Sequence, residues 1–187
     1  MPVINNPVNN VDLNIVGVFV NEDLDVVIHI ANQLKLFAVQ LHGQEDEVYI
    51  TNLKRSLPNI ELWKALPINE NTTTQSLAEQ INQCNADKIL LDTQTTTFGD
   101  NSFGGSGESF NWNIIKQLDK VLNKNRKLNR HIILAGGLSD SNIALAKNYG
   151  CYILDVNSGI EISPGIKSKE KMKNLFNQIA SRNTGNE

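Results

Sequence analysis

Three strand ends in this chain carry residues that could do chemistry. KILLD (88–92) closes an apolar run with Asp92, and a carboxyl delivered there can give or take a proton; the same residue could equally cap a helix or form a turn. Gly136 and Gly137 follow HIILA (131–135), and Asn157, Ser158 and Gly159 follow YILDV (152–156). Bare backbone N–H groups at such points suit an anion, although glycine pairs also make plain tight turns. Gly-bearing ends on two successive strands favour the anion. Gln40 and His42, in AVQLHG, occupy another strand end. His42 reads as a pocket wall or a satisfied core histidine, positional in role rather than proton-transferring. Asp155 lies inside its strand just before the Asn157 loop; a carboxylate there is costly to bury unless hydrogen-bonded, so it reads as a residue that orders the neighbouring loops.

Metal chemistry has little support. His29, His42 and His131 are scattered, and Cys84 and Cys151 form neither a disulfide framework nor a ligand spacing. Cys151 opens an apolar strand and reads as packing, whereas Cys84, among polar residues, reads as a partly exposed thiol.

Positioning the strand-end residues requires strands that run side by side. IVGVFV (15–20), FAVQL (37–41), IELWKA (60–65), KILLD, HIILA and YILDV are mostly near-continuous apolar runs, the pattern of strands buried on both faces of a parallel sheet. Amphipathic stretches lie between them. Leu24, Val27, Ile28 and Ala31 follow helical spacing with Asn21 placed as a cap, and EDEVYITNLKRSLP stops at Pro58. NWNIIKQLDKVLNKN offers Trp112, Ile115, Leu118 and Leu122 as a core stripe; SDSNIALAKNYG ends at Gly150, and SKEKMKNLFNQIA closes the pattern. Six βα units in a row predict an α/β protein, either an open doubly wound sheet or a (β/α) barrel. No strand is followed by G-x-G-x-x-G, and small or polar groups recur at strand ends instead, so the barrel is favoured.

Composition sets the outer bounds. The 187 residues are 40% apolar and 20% charged, enough for one sizeable core. A net charge of -3 without a basic block argues against nucleic acid as a partner. MPVINNPVNN has no leader-like pattern, and no apolar run approaches the roughly 20 residues that span a bilayer, so a cytoplasmic location is expected. Residues 1–14 read as an irregular segment, 15–180 as the barrel domain and 181–187 as a frayed tail.

Taken in order, VGVFVN, AVQLHGQE, LWKAL, LLDT, GGSGESFNW, ILAGGLSDSN and LDVNSGIEISPGIKSKEK resemble the strand-loop signatures of phosphoribosylanthranilate isomerase, especially the form fused behind indole-glycerol-phosphate synthase. The resemblance implies a TIM (β/α)8-barrel of which this chain holds about six βα units, strands three to eight; the K-I-C-G and S-P-R segments of the family's first two units do not occur. It implies an Amadori rearrangement in tryptophan biosynthesis, acid–base chemistry that needs no metal or other cofactor. Asp92 matches the family's general acid, which would have to be protonated when substrate binds. Its general-base cysteine has no counterpart. Gly136, Gly137, Asn157, Ser158 and Gly159 match the phosphate site, and Gly104, Gly105, Ser106 and Gly107 the loop that closes over the substrate, with Gln40 and His42 in the pocket. Glu161 and Lys167 match family positions without an obvious duty. The implied ligand is a phosphorylated sugar-anthranilate, with no membrane partner. A complementing N-terminal chain or self-association would supply the missing strands. The alternative is a non-catalytic truncated barrel that binds a phosphorylated ligand or such a partner.

Overall fold

The computed structural model describes residues 13–93, 110–122 and 131–180. Each of the six apolar runs forms a strand: β1 (Val16–Phe19), β2 (Ala38–Leu41), β3 (Glu61–Ile68), β4 (Lys88–Thr93), β5 (Ile132–Leu134) and β6 (Ile153–Leu154). They make one parallel sheet in the order β1-β2-β3-β4-β5-β6. Parallel neighbours need a crossover, and helices supply it: α1 (Leu24–Leu34), α2 (Glu47–Ser56), α3 (Thr74–Gln83), α4 (Asn113–Val121) and the short α5 (Ile143–Ala146). A hairpin of β7 (Glu161–Ser163) and β8 (Ile166–Lys167) then leads into α6 (Lys169–Ala180).

Two apolar layers hold the sheet. On the helix side, Val39 and Leu41 of β2, Leu62 and Leu66 of β3, and Ile89 and Leu91 of β4 pack with Val27, Ile50, Leu77, Ile115 and Leu118. On the other side, Ala38, Trp63, Ala65, Leu90, Ile133 and Ala135 make a smaller cluster. Period-two alternation puts successive residues of each strand into different layers. The sheet curls with this second face inward, giving a half-barrel around a cavity of about 940 Å³.

Several details depart from the sequence reading. Asn21 does not cap α1: Asp23 stands at that position, and the Asn21 Oδ1 instead accepts from Gln44 N–H at 2.6 Å, joining the loops after β1 and β2. SDSNIALAKNYG forms only one short α-turn followed by a 3-10 turn, Lys147–Tyr149, because Asn142 is drawn into loop hydrogen bonds. Gly150 ends it with φ 70°, as its lack of a Cβ allows. Cys84 is buried rather than partly exposed; it closes α3 against the helix-side core, where burial pushes its thiol up. The helix α3 and the β7–β8 hairpin are elements the apolar pattern did not single out. Residues 104–107, the expected closing loop, lie outside the described residues.

Candidate active site

The alternation that builds the core also builds the site. In β2, Val39 and Leu41 face the helices, so Ala38 and Gln40 face the cavity and His42, the next in phase, follows them. In β4, Ile89 and Leu91 face the helices, leaving Leu90 and Asp92 inside. Asp155 follows β6 on the same inner face. The C-terminal end of the half-barrel therefore carries Gln40, His42, Asp92 and Asp155 together above an apolar floor of Trp63, Leu90 and Ile133.

The N-terminal ends of β3 and β4 carry a half-buried ion pair. Lys88 Nζ donates to both Glu61 carboxylate oxygens at 2.7 and 2.8 Å, Trp63 Nε1 donates to the same carboxylate, and the ammonium lies 4.8 Å from the Tyr152 ring centre.

At the chemical end, His42 Nε2 lies 3.4 Å from Asp92 Oδ2, and the Thr93 N–H donates to Asp92 Oδ1 at 2.8 Å. Gln40 Nε2 is 2.9 Å from His42 Nδ1. Asp155 lines the cavity. Burial pushes its carboxyl above the usual range and Asp92 adds to this, while His42 and Lys167 oppose it. The site thus holds two acidic groups, one of them held back from ionising.

The glycine ends follow from close backbone approach. Gly136 and Gly137 both have positive φ, 81° and 63°, and a Cβ on Gly136 would lie 2.2 Å from Thr93 Oγ1. A Cβ on Gly159 would lie 1.9 Å from the Leu138 carbonyl oxygen, where a parallel bridge between Ser139 and Gly159 joins the two loops. Gly136, Gly137, Asn157 and Ser158 line the cavity, with Gly159 buttressing them from behind. Two further residues shape this rim. Asn142 accepts from Ser139 N–H and donates to Gly137 O, each at 2.9 Å. Lys167, reached through the β7–β8 hairpin, donates to Asn157 O at 2.9 Å, to Asn157 Oδ1, and to Glu161 Oε1 at 2.7 Å. The Lys167 bond holds the Glu161 carboxyl below its usual range. Asn142 carried no sequence signal, and Lys167 lies ten residues from the loop it braces.

Neither cysteine belongs to this cavity. Cys84 packs in the helix-side core and Cys151 against its margin. Among the described residues no group of three or more His, Cys, Asp or Glu is arranged to hold a metal ion, and no helix is long and apolar enough to cross a membrane.

A parallel α/β half-barrel with polar residues gathered at the C-terminal strand ends has the architecture of TIM-barrel enzymes. The model of the N-(5'phosphoribosyl)anthranilate (PRA) isomerase family matches residues 3–178, and the chain belongs to that family. Among curated relatives, the Tryptophan biosynthesis protein TrpCF of Haemophilus influenzae is 42% identical over 168 residues, covering 89% of this chain and 32% of the relative. The protein of the same name from Buchnera aphidicola subsp. Diuraphis noxia is 39% identical over 178 residues, covering 95% and 33%. This chain therefore spans about a third of the length of those relatives. The phosphoribosyl anthranilate isomerase of Thermus thermophilus superposes with a TM-score of 0.68 at 29% identity, over 88% of this chain and 71% of that one. A phosphoribosyl anthranilate isomerase in complex with reduced 1-(o-carboxyphenylamino)-1-deoxyribulose 5-phosphate gives 0.64 at 26% identity, over 87% and 69%.

Proposed function

We propose that this chain provides the greater part of a phosphoribosylanthranilate isomerase site, which converts N-(5-phosphoribosyl)anthranilate to the 1-deoxyribulose phosphate in tryptophan biosynthesis. The observation that carries the reading is Asp92, on the inner face at the C-terminal end of β4, 3.4 Å from His42 and in one cavity with the glycine-bearing ends of β5 and β6, the nearer of which packs Gly136 against Thr93. An Amadori rearrangement needs a proton delivered to the ring oxygen and another removed from the adjacent carbon. Asp92 is the group assigned to deliver one. The N–H groups around Gly136, Gly137, Asn157, Ser158 and Gly159 are assigned to the phosphate, as at the usual phosphate site of such barrels. Gln40 and His42 form the pocket wall, and residues 104–107 the closing loop.

In this reading β1 to β6 correspond to strands three to eight of the family barrel, within a domain of residues 15–180. The second proton-transfer group then comes from polypeptide continuing the sheet beyond β1, since neither cysteine lines the cavity. Val18 and Val20, which line the cavity yet are 59% and 56% exposed, favour such a continuation. The second reading is a non-catalytic truncated barrel that binds a phosphorylated ligand or a complementing partner chain, the latter favoured by the same exposed valines.

The test is growth of a tryptophan auxotroph lacking this isomerase, given the chain with and without a co-expressed segment carrying the family's first two βα units. Growth only with the segment is expected. Growth with the chain alone would overturn the need for a supplied group, and failure of both, with soluble chain present, would leave the non-catalytic binder.

A further inference from the structure

The pairing of Gln40 with His42 goes beyond the assignment of Asp92, on which it builds. His42 Nε2 faces Asp92 Oδ2 at 3.4 Å. The other ring nitrogen, Nδ1, meets the Gln40 side-chain amide nitrogen at 2.9 Å. An amide NH2 only donates, so Nδ1 must present its lone pair. A ring whose Nδ1 accepts carries its proton on Nε2, the nitrogen that faces Asp92. Gln40 is itself buried, and its register neighbours are Val18 on β1 and Trp63 on β3. Val18 has no polar group, and the Trp63 indole N–H is already committed to Glu61. No polar side chain in register with Gln40 therefore competes for its amide.

We propose that Gln40 is a positioning residue that fixes His42 as the neutral Nε2–H tautomer, so that the imidazole presents a single hydrogen-bond donor to Asp92. The Thr93 N–H donates to Asp92 Oδ1 and His42 Nε2 faces Oδ2, so each carboxyl oxygen has a neighbour from the chain. His42 then acts as an orienting donor, and proton traffic in the site passes through the carboxyl groups.

Nitrogen-15 NMR of the full chain, labelled at histidine and recorded at about pH 8, above the ordinary imidazole range, reads this without reference to isomerase activity. Only three histidines are present, and His42→Gln identifies the relevant signals. His131 supplies an internal control of opposite sense, because its Nδ1 faces the Asp87 carbonyl oxygen at 3.0 Å and must carry the proton. The expected result is the Nε2–H pattern for His42 and the Nδ1–H pattern for His131. Gln40→Met, which removes the donor at similar size, is expected to move His42 to an averaged tautomer pattern like that of the exposed His29, and Gln40→Glu to place a proton on Nδ1. An unchanged His131 pattern shows that each variant is folded. A wild-type His42 carrying the proton on Nδ1, or on both nitrogens, would overturn the proposal, as would a Gln40→Met variant that keeps the Nε2–H pattern. Loss of the isomerase reading in the growth test would leave the tautomer result standing, so the two fail separately.

Discussion

At the residue scale, Asp92 and Asp155 share one cavity with different surroundings, and their substitutions should separate accordingly. If Asp92 has the proposed role, Asp92→Asn is expected to lower kcat of the chain co-expressed with the family's first two βα units by about 10²- to 10⁴-fold, the usual worth of a positioned proton-transfer group, as measured by the rate of substrate consumption. For Asp155 the expectation concerns stability. Its carboxyl is raised in the folded chain by burial and by Asp92, so between the ordinary aspartate value and the raised one the folded state binds more protons than the unfolded. Stability then falls as pH rises through that window. Asp155→Asn should leave the chain more stable near neutrality, with the gain shrinking as the pH falls through that window and gone below the ordinary aspartate range, as read from urea midpoints across pH. A gain independent of pH would show that the carboxyl is not strained by its site. Gly159 makes a steric case: with the Leu138 carbonyl oxygen 1.9 Å from where a Cβ would sit, Gly159→Ala is expected to cost about 1–3 kcal/mol in urea unfolding.

At the scale of elements, the loops on the chemical face are held by side chains that do not touch the cavity. Glu45 accepts from Asn21 N–H at 2.8 Å, Gly43 N–H at 3.1 Å and Lys64 Nζ at 2.9 Å, and Lys64 also donates to Gly43 O at 2.6 Å. Burial alone would raise the Glu45 carboxyl, but these hydrogen bonds and the Lys64 charge outweigh it, and the net displacement is downward. The sign is opposite to that of Asp155: the contribution is complete above the ordinary glutamate range and is lost as pH falls through the depressed value. Lys64→Met, which leaves Glu45 buried without its cation, is expected to destabilise by about 3–5 kcal/mol in denaturant titration. Strands, and most helices, were legible in the sequence because continuous apolar runs and 3.6-residue spacing report burial directly. Asn21 shows where that legibility ends. Its position suited a cap, but φ 51° and a bond to Gln44 put it into a loop–loop contact 23 residues away, which no local pattern encodes. Asp46, by contrast, caps α2 through its bond to Tyr49 N–H, and Asp46→Ala should cost about 1 kcal/mol. In the site, Asp92, Gln40 and His42 were legible because strand phase determines their face. Asn142 and Lys167 were not, since their duties depend on how two loops meet.

At the scale of the whole molecule, the described strands leave β1 and β6 each paired on one side only. Backbone groups at such margins, with Val18 and Val20 beside them, favour association. Val18→Lys is expected to make the isolated chain more monodisperse in sedimentation while weakening growth with the complementing segment, because it charges the face that segment must cover. The sheet also has a property that bears on how it is made. Spatial order and chain order coincide, so each strand pairs with the next one synthesised, and no strand is inserted between two already joined. During translation the sheet can grow one βα unit at a time as the chain leaves the ribosome. The same arrangement lets an ancestral gene gain or lose a unit at either margin without rethreading what remains.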